Sequence, residues 1–257
     1  MLSPDARQAL EDTRRRAEAD PSVVGLVLSG SAAREGMATE HSDVDVYVVL
    51  EPSQVNDWST RRSALIDEII CTTEEIAVPG PFGTDGWWSR YSFAHVKVLL
   101  DRLDGGINAM VHAQATLTPQ EAADVIRQRL DGYVNFAYRS LKSVRDGRHF
   151  EARHDAAESL PWALDVLFAF SGRIRPYNKY LPWELEHFPL AVPEWAPDVL
   201  LPLLDAVLTG DAAAQRELFR VMEREARAYG GRNVSDFCAR TIEAWGDELA
   251  LLRHLTP

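Results

Sequence analysis

Two aspartates one residue apart, Asp43 and Asp45, open an apolar run that extends from Val44 to Leu50. The run is dominated by β-branched residues, and it predicts a buried central strand. Side chains alternate between the two faces of a strand, so Asp43 and Asp45 point the same way. Adjacent carboxylates repel each other unless a cation lies between them, and Mg²⁺ is bound by one or two carboxylates together with substrate phosphates. The pair therefore predicts a magnesium site at the start of this strand.

A Gly-Ser dipeptide precedes the acids. Gly30 and Ser31 follow a second strand-like run, residues 23–29. Glycine lets the backbone approach a phosphate closely, and a serine hydroxyl can donate to a phosphate oxygen. A short helix predicted over residues 32–36 would turn its N-terminal amides toward the phosphates. Ser42, next to the acids, is a further candidate for binding the nucleotide.

The combination of Gly-Ser, eleven residues and Asp-x-Asp on a strand resembles the nucleotidyltransferase superfamily of the polymerase-β type. Within it the chain is similar to small bacterial two-domain members, which include antibiotic nucleotidyltransferases; the resemblance covers roughly residues 20–105. It implies transfer of a nucleoside monophosphate from a nucleoside triphosphate (NTP) to a hydroxyl group. Mg²⁺ is the implied cofactor and ATP the expected co-substrate.

The resemblance also implies a third acid on a neighbouring strand. Residues 91–101 alternate in character and predict that strand, with Lys97 and Asp101 on one face. At ~3.3 Å per residue these two positions are about 13 Å apart, so only one fits the site. Asp101 would complete a three-acid metal site. Lys97 in its place would neutralise phosphates, and the protein could then bind an NTP without efficient catalysis. Both alternatives stay open.

Further candidates lie in the second half of the chain. Residues 173–186 are rich in cations and aromatics. Arg175 and Lys179 are predicted to reach the triphosphate and Tyr177 to stack on the base, unless the segment is a polar connection between helices with its aromatics in the core. Glu158 is a candidate general base, because apolar neighbours would make its carboxylate more basic. The competing interpretation is an ordinary glutamate on a helix surface.

The sequence pattern changes near residue 117. It predicts an α+β fold, with a nucleotidyltransferase-like domain of mixed sheet and flanking helices over residues 1–117. An all-helical domain over residues 118–257 is predicted to cover the cleft. Within the first part, apolar spacing predicts a helix over residues 58–71, and residues 75–78 read as a short strand.

Charge and composition narrow the choice of acceptor. The formal net charge is -12, so the chain repels polyanions, and a nucleic-acid substrate is not expected. An acidic surface suits a cationic small molecule, such as an aminoglycoside or lincosamide-like antibiotic, and hence a role in antibiotic resistance. A protein or tRNA acceptor, as in toxin-like members, is the alternative. The sequence predicts no disulfide framework and no membrane segment, and therefore a cytoplasmic protein; it predicts no oligomeric state.

Overall fold

The structure is a computed structural model that describes residues 1–52, 56–230 and 233–254 of the 257-residue chain. The chain divides into two compact units, Met1–Thr116 and Leu117–Pro257. The first combines a mixed sheet with helices and the second is helical, which confirms the α+β class. The functional labels predicted for the two parts stay predictions. Within the described residues, no helix has the length and apolar character needed to cross a membrane.

The first unit contains the strands of the sheet and the helices that flank it. In chain order they are α1 (Pro4–Ala19), β1 (Val23–Leu28), α2 (Gly30–Ala33), β2 (Val44–Leu50), β3 (Arg61–Arg62), β4 (Ile66–Thr72), α3 (Thr73–Ala77), α4 (Asp85–Ser89), β5 (Lys97–Asp101) and α5 (Gly106–Ala115). A 3₁₀ turn, Arg90–Phe93, follows α4.

Within the described residues the strands form one sheet in the order β3-β4-β2-β1-β5. The central strand β2 pairs antiparallel with β1 and parallel with β4. One face packs against α1, and the other carries an apolar cluster that includes Ile76 of α3 and Ile107 of α5. Because both faces are covered, β1 is apolar along its whole length, and β2 carries a charged side chain only at Asp45. The strands predicted around residues 23–29 and 44–50 are confirmed.

Three local predictions in this unit are wrong or too long. The predicted helix over residues 58–71 is replaced by β3 and β4, because β4 pairs with β2 along its full length and its isoleucines suit that buried ladder. The predicted strand over residues 75–78 is instead α3 and its C-terminal end, since Thr72 and Glu75 form a reciprocal capping box. The predicted strand over residues 91–101 is shortened to β5 by the preceding 3₁₀ turn.

The second unit is built on a pair of long helices. Its helices are α6 (Pro119–Arg145), α7 (His149–Phe170), α8 (Leu181–His187), α9 (Pro197–Leu208), α10 (Ala212–Ala228), α11 (Val234–Glu243) and α12 (Leu249–Arg253). Helices α6 and α7 approach closely at Gly132, where a Cβ atom would lie 2.4 Å from the ring of Trp162. A residue without a side chain is therefore required at this crossing.

A buried carboxylate ties β4 to α1. Glu68 is 1% exposed and accepts hydrogen bonds from Thr13, from Arg16 at 3.0 Å and from Arg61 at 2.8 Å. Burial alone would raise the pKa of the Glu68 carboxyl, but the hydrogen bonds from Thr13 and Arg61 and the charge of Arg16 outweigh it, so the pKa lies below 4.5. Glu68 thus fixes β4 against the helix on the face opposite Asp67.

Replacing Glu68 with glutamine keeps the shape and removes the charge. We expect the free energy of unfolding to fall by about 2 kcal/mol at pH 7. The folded-state pKa is lowered, so the stabilisation is complete above the unfolded pKa near 4.5 and is lost as the pH falls through the folded pKa. The difference between wild type and Glu68→Gln should therefore shrink on acidification, as measured by urea unfolding at pH 7 and pH 3.

The matched control is Glu18→Gln, because Glu18 pairs with Arg14 on the exposed surface of α1. Its effect should stay below about 0.5 kcal/mol at both pH values. A Glu68→Gln effect no larger than that of the control would contradict the structural role of Glu68.

Candidate active site

Three carboxylates meet where β2 and β4 begin. The parallel pairing of the two strands places Asp45 opposite Asp67. One ligand oxygen from each of Asp43, Asp45 and Asp67 lies within 4.8 Å of the others, and all three residues are half-buried. Three hard oxygen ligands at this separation suit a divalent cation such as Mg²⁺. We call Asp43, Asp45 and Asp67 the acidic trio.

Sequence reasoning did not identify Asp67. Apolar spacing indicated a helix there, which hid the alternation of β4, with Asp67, Ile69 and Cys71 on one face. The available signal was the run from Ile66 to Thr72, in which β-branched residues frame two acids shortly after the Asp-x-Asp strand. Read as a strand, that run would have offered a neighbouring third acid.

Gly30 lies directly against the trio. Its φ is +62°, and a Cβ atom built on it would come within 1.9 Å of Asp45 Oδ2. The preceding residue, Ser29, donates its backbone N–H to the Asp45 carbonyl oxygen at 2.8 Å. Glycine is therefore required both for the left-handed backbone and for the close approach. The Gly-Ser dipeptide and the acids form one continuous site.

Ser31 carries a buried hydroxyl with no partner in the described part of the chain. The residue is 1% exposed, and its Oγ makes no hydrogen bond there. A buried polar group without a partner costs stability, so such a group calls for a ligand or another functional explanation. The short helix predicted over residues 32–36 lies earlier, as α2 (Gly30–Ala33), and residues 34–36 form a bend and a turn.

A buried arginine holds the Gly-Ser dipeptide in place. Arg34 is 2% exposed, and its guanidinium donates to the carbonyl oxygens of Gly30 at 2.7 Å and Ala94 at 2.8 Å. It also lies 5.0 Å from the centre of the Tyr91 ring. Arg34 thus joins the phosphate-binding candidate to the segment before β5. This role could not be predicted from the sequence, because an arginine in a polar stretch usually lies on the surface.

Asp101, the predicted third acid, lies elsewhere. It pairs with Gly25 on the far side of β1, and its carboxylate accepts from Leu103 N at 2.9 Å and from Asn108 N and Nδ2 at 3.3 and 3.1 Å. Burial would raise the pKa of Asp101, but these hydrogen bonds outweigh it and lower the pKa. Asp101 therefore stabilises the turn into α5, and the structure does not bring it to the trio.

Lys97 and Ser42 do not lie where their predicted roles would require. Lys97 is exposed on β5 opposite Leu28, with β1 between it and β2. Ser42 is next to the trio in sequence, but its Oγ accepts from Thr39 N at 3.0 Å and shapes the turn before β2. Neither side chain joins the acidic trio.

Arg175, a candidate in the helical unit, belongs to a network of contacts inside that unit. Arg175 donates to the Pro161 carbonyl at 3.2 Å and to Asn178 Oδ1 at 2.9 Å, and it lies 3.9 Å from Asp165. Burial raises the pKa of Asp165, although Arg175 and Arg129 counter it. The network gives Arg175 internal partners within its own unit.

The other helical candidates are more exposed. Tyr177 is 39% exposed, and the Lys179 ammonium lies 5.1 Å from the centre of the Tyr180 ring. Glu158 is exposed on α7, near Trp162 Nε1 at 3.5 Å. It therefore lacks the apolar enclosure on which its prediction as a general base depended. The roles of Tyr177 and Lys179 stay predictions.

Comparison with known proteins gives little beyond this geometry. No family model matches the chain, and no curated protein matches it. Among solved structures, the chain is similar to a nucleotidyltransferase-like protein from Exiguobacterium sibiricum 255-15, with 12% sequence identity and a TM-score of 0.44. The alignment covers 96% of this chain and 86% of that chain. These values are too low to carry an argument about activity, so any conclusion about function depends on the geometry of the acidic trio and the Gly-Ser dipeptide.

Gly30→Ala should disrupt the site, because the added methyl group and the Asp45 carboxylate cannot occupy the same space. We expect the dissociation constant for Mn²⁺, measured by titration calorimetry, to rise about tenfold or more, since changes to residues that contact metal ligands typically cost 10- to 100-fold in metal affinity. Near-UV circular dichroism would check that the variant is folded.

Gly36→Ala is the matched control. Gly36 also has a positive φ, +75°, but nothing lies within 4 Å of the added methyl group. Both variants bear the backbone cost of about 1 kcal/mol, and only Gly30→Ala bears the clash. If the two variants bound Mn²⁺ equally well, Gly30 would have no role at the acids.

Proposed function

We propose that the chain is a Mg²⁺-dependent nucleotidyltransferase that moves a nucleoside monophosphate from an NTP to a hydroxyl group of a small molecule. The observation that carries this proposal is the acidic trio, with its oxygens within 4.8 Å of one another beside Gly30. The buried hydroxyl of Ser31, which has no hydrogen-bond partner among the described residues, supports the proposal independently. ATP is the proposed donor.

The residues present fit both a metal and a triphosphate. Asp43, Asp45 and Asp67 offer the carboxylate oxygens that Mg²⁺ prefers, and the absence of a side chain at Gly30 lets the Asp45 carboxylate lie directly against the Gly-Ser dipeptide. Ser31 Oγ can donate to that phosphate. A Mg²⁺ ion bound here would offset the charge that develops on the phosphates during transfer.

The transfer itself exchanges one phosphorus–oxygen bond for another. The acceptor oxygen bonds to the α-phosphorus, and the bond from the α-phosphorus to the bridging oxygen breaks. Pyrophosphate leaves with that electron pair, and the hydroxyl proton passes to a carboxylate oxygen of the trio. The chain contributes position and electrostatics, which supply most of the catalysis in phosphoryl transfer.

A small cationic acceptor agrees with the charge of the chain. A net charge of -12 disfavours nucleic acid and attracts amines, so an aminoglycoside or lincosamide-like antibiotic is the proposed acceptor class. The cytoplasm is the proposed location. Protein or tRNA modification has no separate observation in its favour. The expectation of an impaired NTP-binding protein depended on a missing third acid, and Asp67 removes that reason.

The test is incubation with labelled ATP, GTP, CTP or UTP, Mg²⁺ and a panel of amino alcohols and antibiotics. We expect pyrophosphate release that depends on both Mg²⁺ and acceptor. Asp45→Asn and Asp67→Asn should each reduce turnover by about 100-fold or more, because each removes a charge of the metal site.

Glu11→Gln serves as the control, since Glu11 is an exposed acid on α1, and its turnover should equal that of the wild type. Circular dichroism would confirm that all variants are folded. Full activity in Asp67→Asn would contradict the role of the trio, and absence of turnover with every donor and acceptor would count against the proposed reaction.

A further inference from the structure

A cavity of about 400 Å³ lies in the first unit, on the face of the sheet that bears the acidic trio. Its lining includes Tyr47 of β2 and Ile69 of β4, each two residues beyond a member of the trio. Residues i and i+2 of a strand share a face and lie about 6.6 Å apart. The cavity therefore begins next to the carboxylates of Asp45 and Asp67.

The wall of this cavity is apolar and held in place. The rings of Tyr47 and Phe93 are 4.5 Å apart, and Ile76 and Val78 contribute from α3 and the residue after it. The Tyr47 hydroxyl is hydrogen-bonded to Ser92 Oγ at 2.6 Å. Such a wall suits the ring or the carbon chain of a small molecule.

Gln114 supplies a polar group to the cavity. It is 4% exposed, and its Nε2 donates to the carbonyl oxygens of Ile76 at 2.8 Å and Val78 at 3.3 Å. These bonds fix the orientation of the amide, and no residue in the described part of the chain donates to Oε1. An amide oxygen of fixed orientation that receives no hydrogen bond from the described residues fits a ligand that carries an N–H or O–H group.

Charge further restricts the ligand. Glu75 lines the cavity and Asp67 lies at its edge. Arg62 also lines it, 4.0 Å from Asp67, and the buried Arg90 donates to the carbonyl oxygens of Gln114 at 2.9 Å and Gly80 at 3.5 Å, so two cations oppose these acids. With the rest of the trio nearby, negative charge predominates. A carboxylate or phosphate group is therefore repelled, and an amine is attracted.

The strand order distinguishes an acceptor from a nucleobase. Ser31 follows β1, on one side of β2, whereas the strand residues that line the cavity come from β2 itself and from β3 and β4 on its other side. In an in-line displacement the entering and leaving oxygens lie on opposite sides of the phosphorus. With phosphates at Ser31, the cavity lies on the side of the entering oxygen.

We propose that this cavity binds the acceptor, and that the acceptor is an amphipathic amino alcohol. Its apolar part packs on Tyr47 and Phe93, a donor group of the ligand bonds Gln114 Oε1, and its hydroxyl lies toward Asp67. This assignment rests on the nucleotidyl transfer proposed above, which proposes a cationic acceptor but names no pocket for it.

The first test probes the charge of the cavity without any turnover. Cys71 lines the cavity and is partly exposed, whereas Cys238, the other cysteine of the sequence, is fully buried. Two methanethiosulfonates of similar size but opposite charge, 2-(trimethylammonium)ethyl and 2-sulfonatoethyl, form a mixed disulfide with the thiol and release methanesulfinate. Burial raises the pKa of Cys71 to about 12, which slows both reagents alike.

After division by the rate ratio measured on free cysteine, the cationic reagent should react about tenfold faster with Cys71. Asp67→Asn and Glu75→Gln should each reduce that preference, and Cys71→Ser should abolish labelling. Equal rates, a preference for the anion, or no labelling at Cys71 would overturn the proposed cavity chemistry.

The second test links the cavity to the acceptor. Cys71→Phe adds bulk to the cavity, and Cys71→Ser is the control for loss of the thiol. With Mg²⁺ and ATP, size-matched amino alcohols, neutral diols and hydroxy acids are compared as acceptors. We expect the amino alcohols to be preferred, the KM of the acceptor to rise about tenfold or more in Cys71→Phe, and the Kd of Mg-ATP to stay unchanged.

The two proposals fail in different ways. Failure of the wild type to bind Mg-ATP would count against nucleotidyl transfer, and the labelling ratio would still test the cavity. Transfer by the wild type with an unchanged acceptor KM in a folded Cys71→Phe variant, or a preference for hydroxy acids, would overturn the acceptor cavity alone.

Discussion

Parallel pairing of β2 with β4 is the constraint on which the site depends. It places Asp45 opposite Asp67 and, with Asp43, brings three carboxylate oxygens within 4.8 Å of one another. At an effective dielectric of ~20, two unit negative charges at that distance repel by about 3.5 kcal/mol. The seven paired positions of the ladder and the apolar layers on both faces of the sheet hold this arrangement. A divalent cation would relieve the repulsion, which gives the site its physical reason to bind one.

Two adjacent acids of β4 show how a strand separates structure from chemistry. Glu68 faces α1 and is surrounded by Thr13, Arg16 and Arg61. Asp67 lies on the other face as a member of the trio, and Arg62, which is largely exposed, lies 4.0 Å from it. The alternation of side chains along β4 thus places Glu68, whose charge is compensated, on one face and Asp67, which is available to bind a cation, on the other.

The local sequence pattern predicted the part of the site whose residues are close together in the chain. Gly30, Ser31, Asp43 and Asp45 could be selected from the sequence because a turn and the alternation of one strand relate them. Asp67 could not be placed that way, because it is brought close to Asp45 by pairing between two strands that are distant in sequence. The apolar spacing of residues 58–71 also indicated a helix rather than a strand. The binding roles assigned to the predicted residues stay predictions.

The error over Asp101 has a related physical origin. Alternation within residues 91–101 correctly indicated a strand near Asp101, but not which neighbour the strand pairs with. In the structure β5 pairs with β1, at the opposite side of β1 from β2, and Asp101 accepts hydrogen bonds at the start of α5. Arg34 was missed for another reason: the carbonyl groups that compensate its burial come from residues far apart in sequence.

The most direct test is a crystal structure with Mn²⁺ and a non-hydrolysable ATP analogue, analysed by the anomalous signal of manganese. We expect a manganese peak in the anomalous map, about 2.1 Å from carboxylate oxygens of Asp43, Asp45 and Asp67, and a phosphate oxygen of the nucleotide should complete the coordination. A metal bound at Asp101, or a nucleotide bound away from the acidic trio, would contradict this expectation.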